Sequence, residues 1–379
     1  MQRLVALYGP PSMAWVRQLE RLWEDGDAVL PIDHRLPSVA RDQLLATMAP
    51  AEIIEISENG TITSNKCHNG RPVSPGDALV MATSGTTGHP KGVILTHQAV
   101  KASALATSKR LNVDVEVDRW LACLPFSHVG GLSVVTRALH TNTALTVHAG
   151  FDATAAMSAA TQGANLVSLV ATALGRVDPS VFKRIVLGGS TPPTNLPDNV
   201  VTTYGMTETG SGVVYDGLPL DGVEIRVVDQ EIQLRAPMML RGYRDGTHPF
   251  TNDGWLKTGD QGDLDTATGR LSVTGRSSEL IITGGENVWP TPVETRLEAH
   301  PAVREAAVFG EPDPEWGERL VALVVWETGH SPVSLAEIRA FVKEALPTYC
   351  APKELRSVAA LPRTAIGKLA RHSLPSRSN

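Results

Sequence analysis

The chain has 379 residues, 42% of them hydrophobic and 20% charged, and its formal net charge is -6. This length exceeds one ordinary domain and predicts two or three domains with sizeable cores. The mildly acidic balance excludes a general attraction to nucleic acid or anionic membranes, so local groups must hold any bound anion.

Cysteine usage and the N-terminus indicate an intracellular protein. Three distant cysteines form no CxxC pair, which argues against a disulfide framework or a zinc site. The first residues are too short and too interrupted by Gly9-Pro10-Pro11 for a signal peptide. No apolar run approaches the roughly 20 residues that cross a bilayer. We therefore predict a cytoplasmic protein without membrane insertion.

Along the chain, the first 76 residues are weakly patterned, and they predict a helix at 14–23, a strand at 52–56 and a loop at 59–77. A helix at 98–110, capped by Thr96, follows further along. Around it lie six short apolar runs that predict strands: 78–82, 92–95, 120–124, 144–147, 166–170 and 184–187. Buried runs separated by helices are typical of parallel sheets covered on both faces, so the predicted fold class is α/β.

The pattern changes after about residue 217. Two hairpins are predicted there, 223–228 with 231–234 and 260–265 with 270–274, which together form a small antiparallel β region. The last hundred residues contain their own predicted elements, namely strands at 280–282, 303–309 and 320–326 and helices at 292–299 and 335–346. We predict a large N-terminal domain, 1–275, and a small α+β C-terminal domain, 276–379.

A loop rich in hydroxyls and glycine lies between two predicted strands and reads TSGTTGHPKG at 83–92. Glycines let backbone N–H groups face an anion, hydroxyls donate to phosphate oxygens, and Lys91 adds a charge. It is not a Walker A loop, because Lys91 precedes a strand and not a helix. The loop is suited to a polyphosphate, although a plain surface hairpin is the alternative.

A second motif, TYGMTET at 203–209, places an aromatic ring beside a hydroxyl and a carboxylate. Tyr204 can stack on a base, and Glu208 can bind Mg²⁺, which prefers oxygen ligands. Taken alone, a core Tyr204 and a solvated Glu208 are the simpler interpretation.

Three further motifs follow: WLKTGD at 255–260, GRSSELIITGGEN at 275–287 and PRTAIGK at 362–368. Asp260 can accept hydrogen bonds from ribose hydroxyls, but it can equally be a turn residue. Lys368 can reach into a site, although a lysine near a chain end is usually solvated.

In this order and spacing, the five motifs resemble those of the adenylate-forming superfamily of acyl-CoA synthetases, luciferases and nonribosomal adenylation domains. The resemblance covers about residues 78–371. It implies an enzyme that uses ATP and Mg²⁺ to convert a carboxylic acid into an acyl-AMP and then passes the acyl group to coenzyme A.

The resemblance also implies roles for individual residues. Ser84, Thr86, Thr87 and Lys91 would contact the β- and γ-phosphates. The adenine slot would be formed by Gly188, Gly189, Ser190, Tyr204, Gly205 and Met206. Thr207 would contact the α-phosphate, Glu208 would bind Mg²⁺, and Asp260 with Arg276 would hold the ribose. Lys368 would bridge the carboxylate and the α-phosphate, so the catalytic set is Lys368, Thr207, Glu208 and Lys91.

The family's C-terminal domain moves between the two half-reactions. Ser278 falls at the hinge position, where many relatives have Asp. The resemblance places Gly284 and Gly285 beside the channel for coenzyme A. Because the reactants are anions, the chemistry needs charge neutralisation and alignment and no nucleophilic side chain.

The acid is indicated by YDGLPLDGV at 215–223, by the segment 310–316 and by the short chain, which resemble the compact bacterial o-succinylbenzoate–CoA ligases of menaquinone biosynthesis. The substrate pocket would then involve His128, Ser190 and Arg137, with Arg137 pairing with the second carboxylate of the keto-diacid. A structural or surface role for His128 and for Arg137 is the alternative.

Other functions remain open at this point. Another carboxylate–CoA ligase, for aryl, short, medium or fatty acids, would use the same motifs. A stand-alone adenylation domain loading a carrier protein usually has an Asp for the substrate amine, which we do not identify. A non-catalytic nucleotide-binding protein would lack some of Lys91, Glu208, Asp260 and Lys368, and all four are present. The oligomeric state is also open, with a homodimer among the alternatives.

Overall fold

The computed structural model describes residues 2–84, 90–189, 192–193, 195–363 and 369–374. These residues contain eight α-helices: α1 (Met13–Glu24), α2 (Ser38–Met48), α3 (His97–Arg110), α4 (Val129–Thr141), α5 (Ala153–Thr161), α6 (Ala171–Leu174), α7 (Pro290–Glu298) and α8 (Leu335–Lys343).

The same residues form strands in four sheets. In chain order the strands are β1 (Leu4–Tyr8), β2 (Ala28–Ile32), β3 (Glu52–Ile56), β4 (Ile62–Lys66), β5 (Asp77–Ser84), β6 (Pro90–Thr96), β7 (Arg119–Ala122), β8 (Ala144–Val147), β9 (Leu166–Leu169), β10 (Arg184–Leu187), β11 (Val200–Met206), β12 (Ser211–Tyr215), β13 (Leu218–Pro219), β14 (Glu224–Val228), β15 (Glu231–Arg235), β16 (Gly242–Tyr243), β17 (Leu256–Asp265), β18 (Arg270–Arg276), β19 (Ile281–Thr283), β20 (Glu286–Val288), β21 (Val303–Asp313), β22 (Gly317–Trp326) and β23 (Glu354–Ser357).

The chain divides into two compact units. The first consists of Met1–Ile225 with Leu234–Leu256, and the second of Arg226–Gln233 with Lys257–Asn379. The predicted division at 275/276 concerns which part of the chain moves during the reaction, and it stays a prediction.

The first sheet of the first unit has the strand order β16-β6-β5-β2-β1-β3-β4. Its centre, β5-β2-β1-β3, is parallel, and β6, β4 and β16 add in antiparallel fashion. The predicted helix at 14–23 and strand at 52–56 are confirmed as α1 and β3. The sequence pattern did not show β1, β2 and α2.

The predicted loop at 59–77 is wrong in its middle and at its end. Residues 62–66 form β4, which pairs along its whole length with β3, and β5 already begins at Asp77. All five residues of β4 are exposed. Backbone pairing to a neighbouring strand makes this segment a strand, so its side chains carry no alternation of apolar and polar residues that would predict one.

The second sheet of the first unit has the order β13-β12-β11-β10-β9-β7-β8. Strands β8, β7, β9, β10 and β11 run parallel, as predicted, and β12 and β13 complete the sheet antiparallel to them. Leu121, Val167 and Ile185 are fully buried in the core on one face. The parallel arrangement brings the carboxyl ends of β10 and β11 to the same edge of the sheet, where the predicted adenine-binding residues begin.

The two predicted hairpins after residue 217 are confirmed as β14–β15 and β17–β18, within a sheet of order β14-β15-β17-β18. Asp229 and Gln230, which join β14 to β15, have φ of 50° and 66°. Two consecutive left-handed residues are typical of a type I′ turn, whose twist matches that of the strands it connects.

The rest of the second unit is an α+β structure, as predicted. Its sheet has the order β20-β19-β22-β21, and β23 pairs in parallel with β22. Helices α7 and α8 cover it through fully buried side chains, among them Val293, Leu297, Ile338 and Val342. No helix in the described part of the chain is both long and apolar enough to cross a membrane.

Candidate nucleotide and acid site

The phosphate-loop motif lies between the antiparallel strands β5 and β6. Thr83 pairs with Lys91, and the Thr83 hydroxyl is 3.4 Å from the Lys91 carbonyl oxygen. The predicted contacts of Thr86 and Thr87, and the side chain of Ser84, lie outside the described residues. The ammonium of Lys91 lies 4.9 Å from the centre of the Tyr243 ring.

Tyr243 also contacts the predicted metal ligand. Its hydroxyl donates a hydrogen bond of 3.0 Å to Oε1 of Glu208. The backbone of Glu208 is held as well, because the N–H of Leu240 donates to its carbonyl oxygen at 2.7 Å. Lys91 therefore contacts the ring of Tyr243, and Glu208 contacts its hydroxyl. Tyr243 was not among the predicted site residues, because a single tyrosine between two arginines does not indicate a binding or catalytic role.

The predicted adenine-binding residues lie at the ends of two neighbouring parallel strands. Gly188 and Gly189 follow β10, whereas Tyr204, Gly205 and Met206 belong to β11. A Cβ on Gly188 would lie 2.8 Å from the Thr203 hydroxyl oxygen, so this close approach favours glycine. The predicted grouping is thus present on the sheet edge, and Ser190 lies outside the described residues.

A short 3₁₀ turn, Thr207–Thr209, presents the predicted catalytic pair Thr207 and Glu208. The buried Thr209 fixes this turn, because its hydroxyl accepts from the Met206 N–H at 3.0 Å and donates to the Ser211 carbonyl at 2.7 Å. Thr207 and Glu208 are half-buried and remain accessible. Thr209 was not among the predicted site residues, since only its position in the turn gives it this function.

The predicted ribose residues belong to the second unit. Asp260 and Arg276 are cross-strand partners on β17 and β18, and Nε of Arg276 lies 2.9 Å from Oδ1 of Asp260. Asp260 is buried, with 5% of its surface exposed, and its N–H donates to the Thr258 hydroxyl. A carboxylate has two oxygens with several acceptor positions, so Asp260 can bind Arg276 and also accept hydrogen bonds from hydroxyls.

The remaining predicted residues also belong to the second unit. Ser278 is exposed in a 3₁₀ turn, Ser277–Glu279, which follows β18 directly. Gly284 and Gly285 form the turn between β19 and β20. Lys368 lies outside the described residues, and an isolated bridge pairs Arg363 with Leu369, the residues on either side of that segment.

His128 begins the helix of the predicted acid pocket. It is the N-cap residue of α4. Nearby, Asp33, Phe126 and Ser127 line a small cleft that includes Gly9 from the N-terminal segment. Burial alone would raise the pKa of Asp33. Hydrogen bonds from Arg35 and the charge of His128 outweigh this effect and lower the pKa to about 2. The first 34 residues therefore contribute a carboxylate whose charge interacts with that of His128, which their sequence did not indicate.

Arg137 is a charged residue that lies almost completely inside the protein. It is buried, with 2% of its surface exposed, so the alternative of a solvated arginine is excluded. Its guanidinium contacts Ser168 Oγ at 3.2 Å, Ser211 Oγ at 3.4 Å and the ring of Trp120. Arg137 forms no ion pair with any residue that the structure describes, its Nε has no partner among them, and burial lowers its pKa.

The chain resembles characterised enzymes in both sequence and structure. Residues 2–243 match the family model of the AMP-binding enzymes, and residues 292–368 match that of the AMP-binding enzyme C-terminal domain. A Mycobacterium tuberculosis protein named probable 2-succinylbenzoate–CoA ligase is 40% identical over 333 residues, which cover 81% of this chain and 86% of the relative. The 2-succinylbenzoate–CoA ligase of Enterococcus faecalis is 37% identical over 336 residues, covering 78% and 68%.

Solved structures agree with this assignment. The o-succinylbenzoate CoA synthetase MenE from Bacillus subtilis, in complex with the acyl-adenylate intermediate OSB-AMP, matches with a TM-score of 0.85 and 29% identity over 99% of this chain and 88% of that one. The same enzyme has been solved with ATP and a magnesium ion. ATP-bound MatB from Rhodopseudomonas palustris shares the fold, with a TM-score of 0.89 at 22% identity over 99% and 88%. The chain is therefore a member of the AMP-binding enzyme family, with the adenylate-forming fold that its motifs predicted.

Proposed function

We propose that this protein is an AMP-forming acid–thiol ligase that converts 2-succinylbenzoate (o-succinylbenzoate), ATP and coenzyme A into the succinylbenzoyl-CoA thioester of menaquinone biosynthesis. The observation that carries the proposal is that one unit contains Lys91 and Glu208, both in contact with Tyr243, and also Arg137, a buried cation without a counter-ion among the described residues. The relatives named as ligases of this acid support the choice of substrate. Because ATP and coenzyme A are cytosolic, we place the enzyme in the cytoplasm.

The reaction has two steps that balance without a protein nucleophile. In the first, a carboxylate oxygen bonds to the α-phosphorus of ATP, the bond to the β-phosphate breaks, and pyrophosphate leaves. In the second, the sulfur of coenzyme A bonds to the acyl carbon, AMP leaves, and the thiol proton passes to solvent. Both first-step reactants are anions, so alignment and charge neutralisation dominate catalysis.

Lys91, with Ser84, Thr86 and Thr87, would hold the β- and γ-phosphates. The weak contact of Lys91 with the Tyr243 ring does not prevent its ammonium group from donating to a phosphate. Lys368 would neutralise charge between the carboxylate and the α-phosphate. We propose that Lys368 acts in the first half-reaction, and that the segment from Ser278 onward moves before the second, when Gly284 and Gly285 would face the pantetheine arm.

The donor set of Glu208 fits Mg²⁺. The described residues contain no group of three or more histidine, cysteine, aspartate or glutamate side chains that could hold a metal ion. Magnesium commonly binds through one or two carboxylates together with waters and substrate phosphates, so a single Glu208 beside Thr207 is a suitable protein contribution. When bound, the ion would supply positive charge to the phosphates.

The rest of the nucleotide would be held by the two groups described above. Gly188, Gly189, Ser190, Tyr204, Gly205 and Met206 would form the adenine slot, and the ion pair of Asp260 and Arg276 would bind the ribose hydroxyls. In the acid pocket, His128 and Ser190 would contact the substrate near its reacting carboxylate.

Arg137 supports a substrate with a second carboxylate. Burying a cation without a counter-ion is unfavourable, and its serine contacts offset that only in part. A dicarboxylate nearby would supply the missing charge, directly or through water. The alternative is a structural arginine that packs on Trp120 and the two serines.

Pyrophosphate exchange with a panel of acids tests the assignment. We expect ATP–pyrophosphate exchange with 2-succinylbenzoate and much weaker exchange with benzoate, malonate, hexanoate and free amino acids. Exchange with one of the other acids would preserve the adenylating mechanism and reject this substrate. No exchange with any carboxylate would reject the catalytic function.

A further inference from the structure

Tyr243 contacts two groups that the proposed function requires, although they belong to different motifs. We propose that Tyr243 is a positioning residue: its hydroxyl orients Glu208 for the magnesium ion, and its ring holds Lys91 within reach of the phosphates. This inference rests on the proposed function and assigns a role to a residue outside all five sequence motifs.

Strand register explains how one side chain reaches Lys91. Tyr243 pairs with Val93 across the antiparallel strands β16 and β6. Lys91 and Val93 are two residues apart, so their side chains leave the same face of β6. Tyr243 is therefore the diagonal neighbour of Lys91, a position from which an aromatic ring can contact a long side chain.

The backbone around Tyr243 is firmly held, so the tyrosine itself has a fixed position. The N–H of Arg241 donates to the Ile94 carbonyl at 2.8 Å, and the N–H of Arg244 donates to the Gly92 carbonyl at 2.7 Å. The Arg241 guanidinium binds both carboxylate oxygens of the buried Asp77, at 2.8 and 2.9 Å.

The guanidinium of Arg244 adds a second anchor. It donates to the carbonyl oxygens of Met48, Arg71 and Pro72, at 3.1, 2.5 and 2.7 Å. Because the strand is anchored on both sides of Tyr243, this side chain can orient the residues that it contacts.

The hydroxyl of Tyr243 determines the orientation of the Glu208 carboxylate. It donates to Oε1, which restricts the rotation of the carboxylate, and Oε2 is then the oxygen that would bind the cation. Partners that hold a metal-binding carboxylate in this way commonly matter for the affinity of the metal. The hydroxyl is therefore expected to act on the magnesium dependence of nucleotide binding, and the ring on Lys91.

Two variants separate these functions. Tyr243→Phe keeps the ring and removes the hydroxyl, whereas Tyr243→Leu removes both. Calorimetric titration with ATP, in buffer with Mg²⁺ and in buffer with EDTA, measures binding without catalysis. We expect Tyr243→Phe to weaken ATP binding about tenfold with Mg²⁺ present and to leave it unchanged in EDTA. Tyr243→Leu should weaken ATP binding in both buffers.

The same variants are then tested for pyrophosphate exchange. Tyr243→Phe should raise the Mg²⁺ concentration for half-maximal exchange about tenfold while the KM for the acid stays unchanged. Tyr349→Phe, which removes a tyrosine hydroxyl in the second unit, is the matched control and should behave as wild type. Melting curves for all variants identify any loss of folding.

Wild-type magnesium dependence in Tyr243→Phe, with wild-type ATP binding in both buffers, would overturn the inference. An equal weakening with and without Mg²⁺ would also overturn it, because that result indicates a purely structural role. Failure of the proposed function has a different signature, since the wild-type enzyme would then show no exchange with 2-succinylbenzoate.

Discussion

The guanidinium of Arg371 lies 3.0 Å from the carboxylate of Glu279, which directly follows the predicted hinge residue Ser278. Arg371 also donates to the buried Glu294 at 2.5 Å. Because Arg371 follows Lys368 by three residues, these ion pairs connect the end of the lysine-bearing segment to the turn that contains Ser278 and to helix α7, all within the second unit.

Removing Arg371 should destabilise the second unit and weaken adenylation. Arg371→Met leaves two carboxylates without their partner, and burial already raises the pKa of Glu279. We expect a loss of about 3 kcal/mol in the free energy of unfolding, measured by urea denaturation. Pyrophosphate exchange should fall more than thioester formation from supplied acyl-AMP, because Lys368 is assigned to the first step alone.

Arg339→Met is the matched control for this prediction. Arg339 donates to the Pro352 carbonyl at 2.7 Å and forms no ion pair with any described residue. Its removal should change neither stability nor the ratio of the two half-reactions by much. An Arg371→Met enzyme that loses both half-reactions equally would contradict a specific link to Lys368.

Arg137→Met should weaken binding of the diacid without reducing the stability of the fold. Arg137 has no counter-ion in the part of the chain that the structure describes, so replacing it with an apolar side chain of similar length is expected to leave stability unchanged or to increase it. The KM for 2-succinylbenzoate should rise at least about tenfold, since one charge-assisted contact is lost. Exchange with benzoate should hardly change. An unchanged KM for the diacid would leave Arg137 with a structural role only.

Two adjacent glycines offer a matched test of the acid pocket. A Cβ on Gly131 would lie 2.3 Å from the Pro125 carbonyl oxygen, whereas a Cβ on Gly130 would meet nothing within 4 Å. Gly131→Ala should therefore displace the turn that carries His128 and lower kcat/KM for the acid by about tenfold or more, with the KM for ATP preserved. Gly130→Ala should resemble wild type. Equal behaviour of the two variants would contradict the placement of His128 in the pocket.

Two histidines beside Trp23 predict a loss of stability in mild acid. The ring of His97 meets Trp23 edge-on at 5.2 Å, and that of His140 stacks on it at 6.2 Å. Burial lowers the pKa of both imidazoles from the usual 6.5; for His97 the charge of Asp77 opposes this effect, and for His140 the charges of His97 and Lys101 add to it. The unfolded chain therefore binds more protons than the folded one below about pH 6.5.

The direction of this pH dependence of stability follows from proton linkage. Stability contributed by the neutral histidines is fully present above pH 6.5 and is lost as the pH falls below that value. Melting temperatures measured between pH 8 and pH 5 should decrease with acidity. His140→Leu, which also removes a buried Nε2 without a partner among the described residues, should flatten the decrease. An identical slope in His140→Leu would show that this histidine does not contribute.

Local signals predicted the parts of the fold in which side-chain pattern and structure coincide. The Thr96 hydroxyl caps α3 by accepting from the Ala99 N–H, and Asp229-Gln230 forms the expected hairpin turn. The exposed strand β4 depends only on backbone pairing with β3, so its sequence did not predict it. The N-terminal strands β1 and β2 were missed although their residues are buried, because short apolar runs do not distinguish a strand from a helix.

For the site, the motifs predicted the residues that would touch ligands, and they did not predict the residues that hold them. The role of Tyr243 follows only from the tertiary structure, in which the pairing of β16 with β6 places it beside Lys91 and Glu208. The burial of Arg137 and the interaction of the Asp33 carboxylate with His128 likewise depend on contacts between distant parts of the chain. Such contacts are set by tertiary packing, which has no signature in local sequence.

Mass spectrometry of the complete reaction tests the proposed ligase function and the role of Lys368 together. Purified protein is incubated with ATP, Mg²⁺, coenzyme A and 2-succinylbenzoate, and the thioester is identified by its mass, with Lys368→Ala examined in parallel. We expect succinylbenzoyl-CoA from the wild type and little from Lys368→Ala, whereas thioester formation from supplied acyl-AMP should survive in the variant. Absence of the thioester from the wild-type reaction would contradict the proposed ligase function, and full overall activity in Lys368→Ala would contradict the proposed role of this lysine.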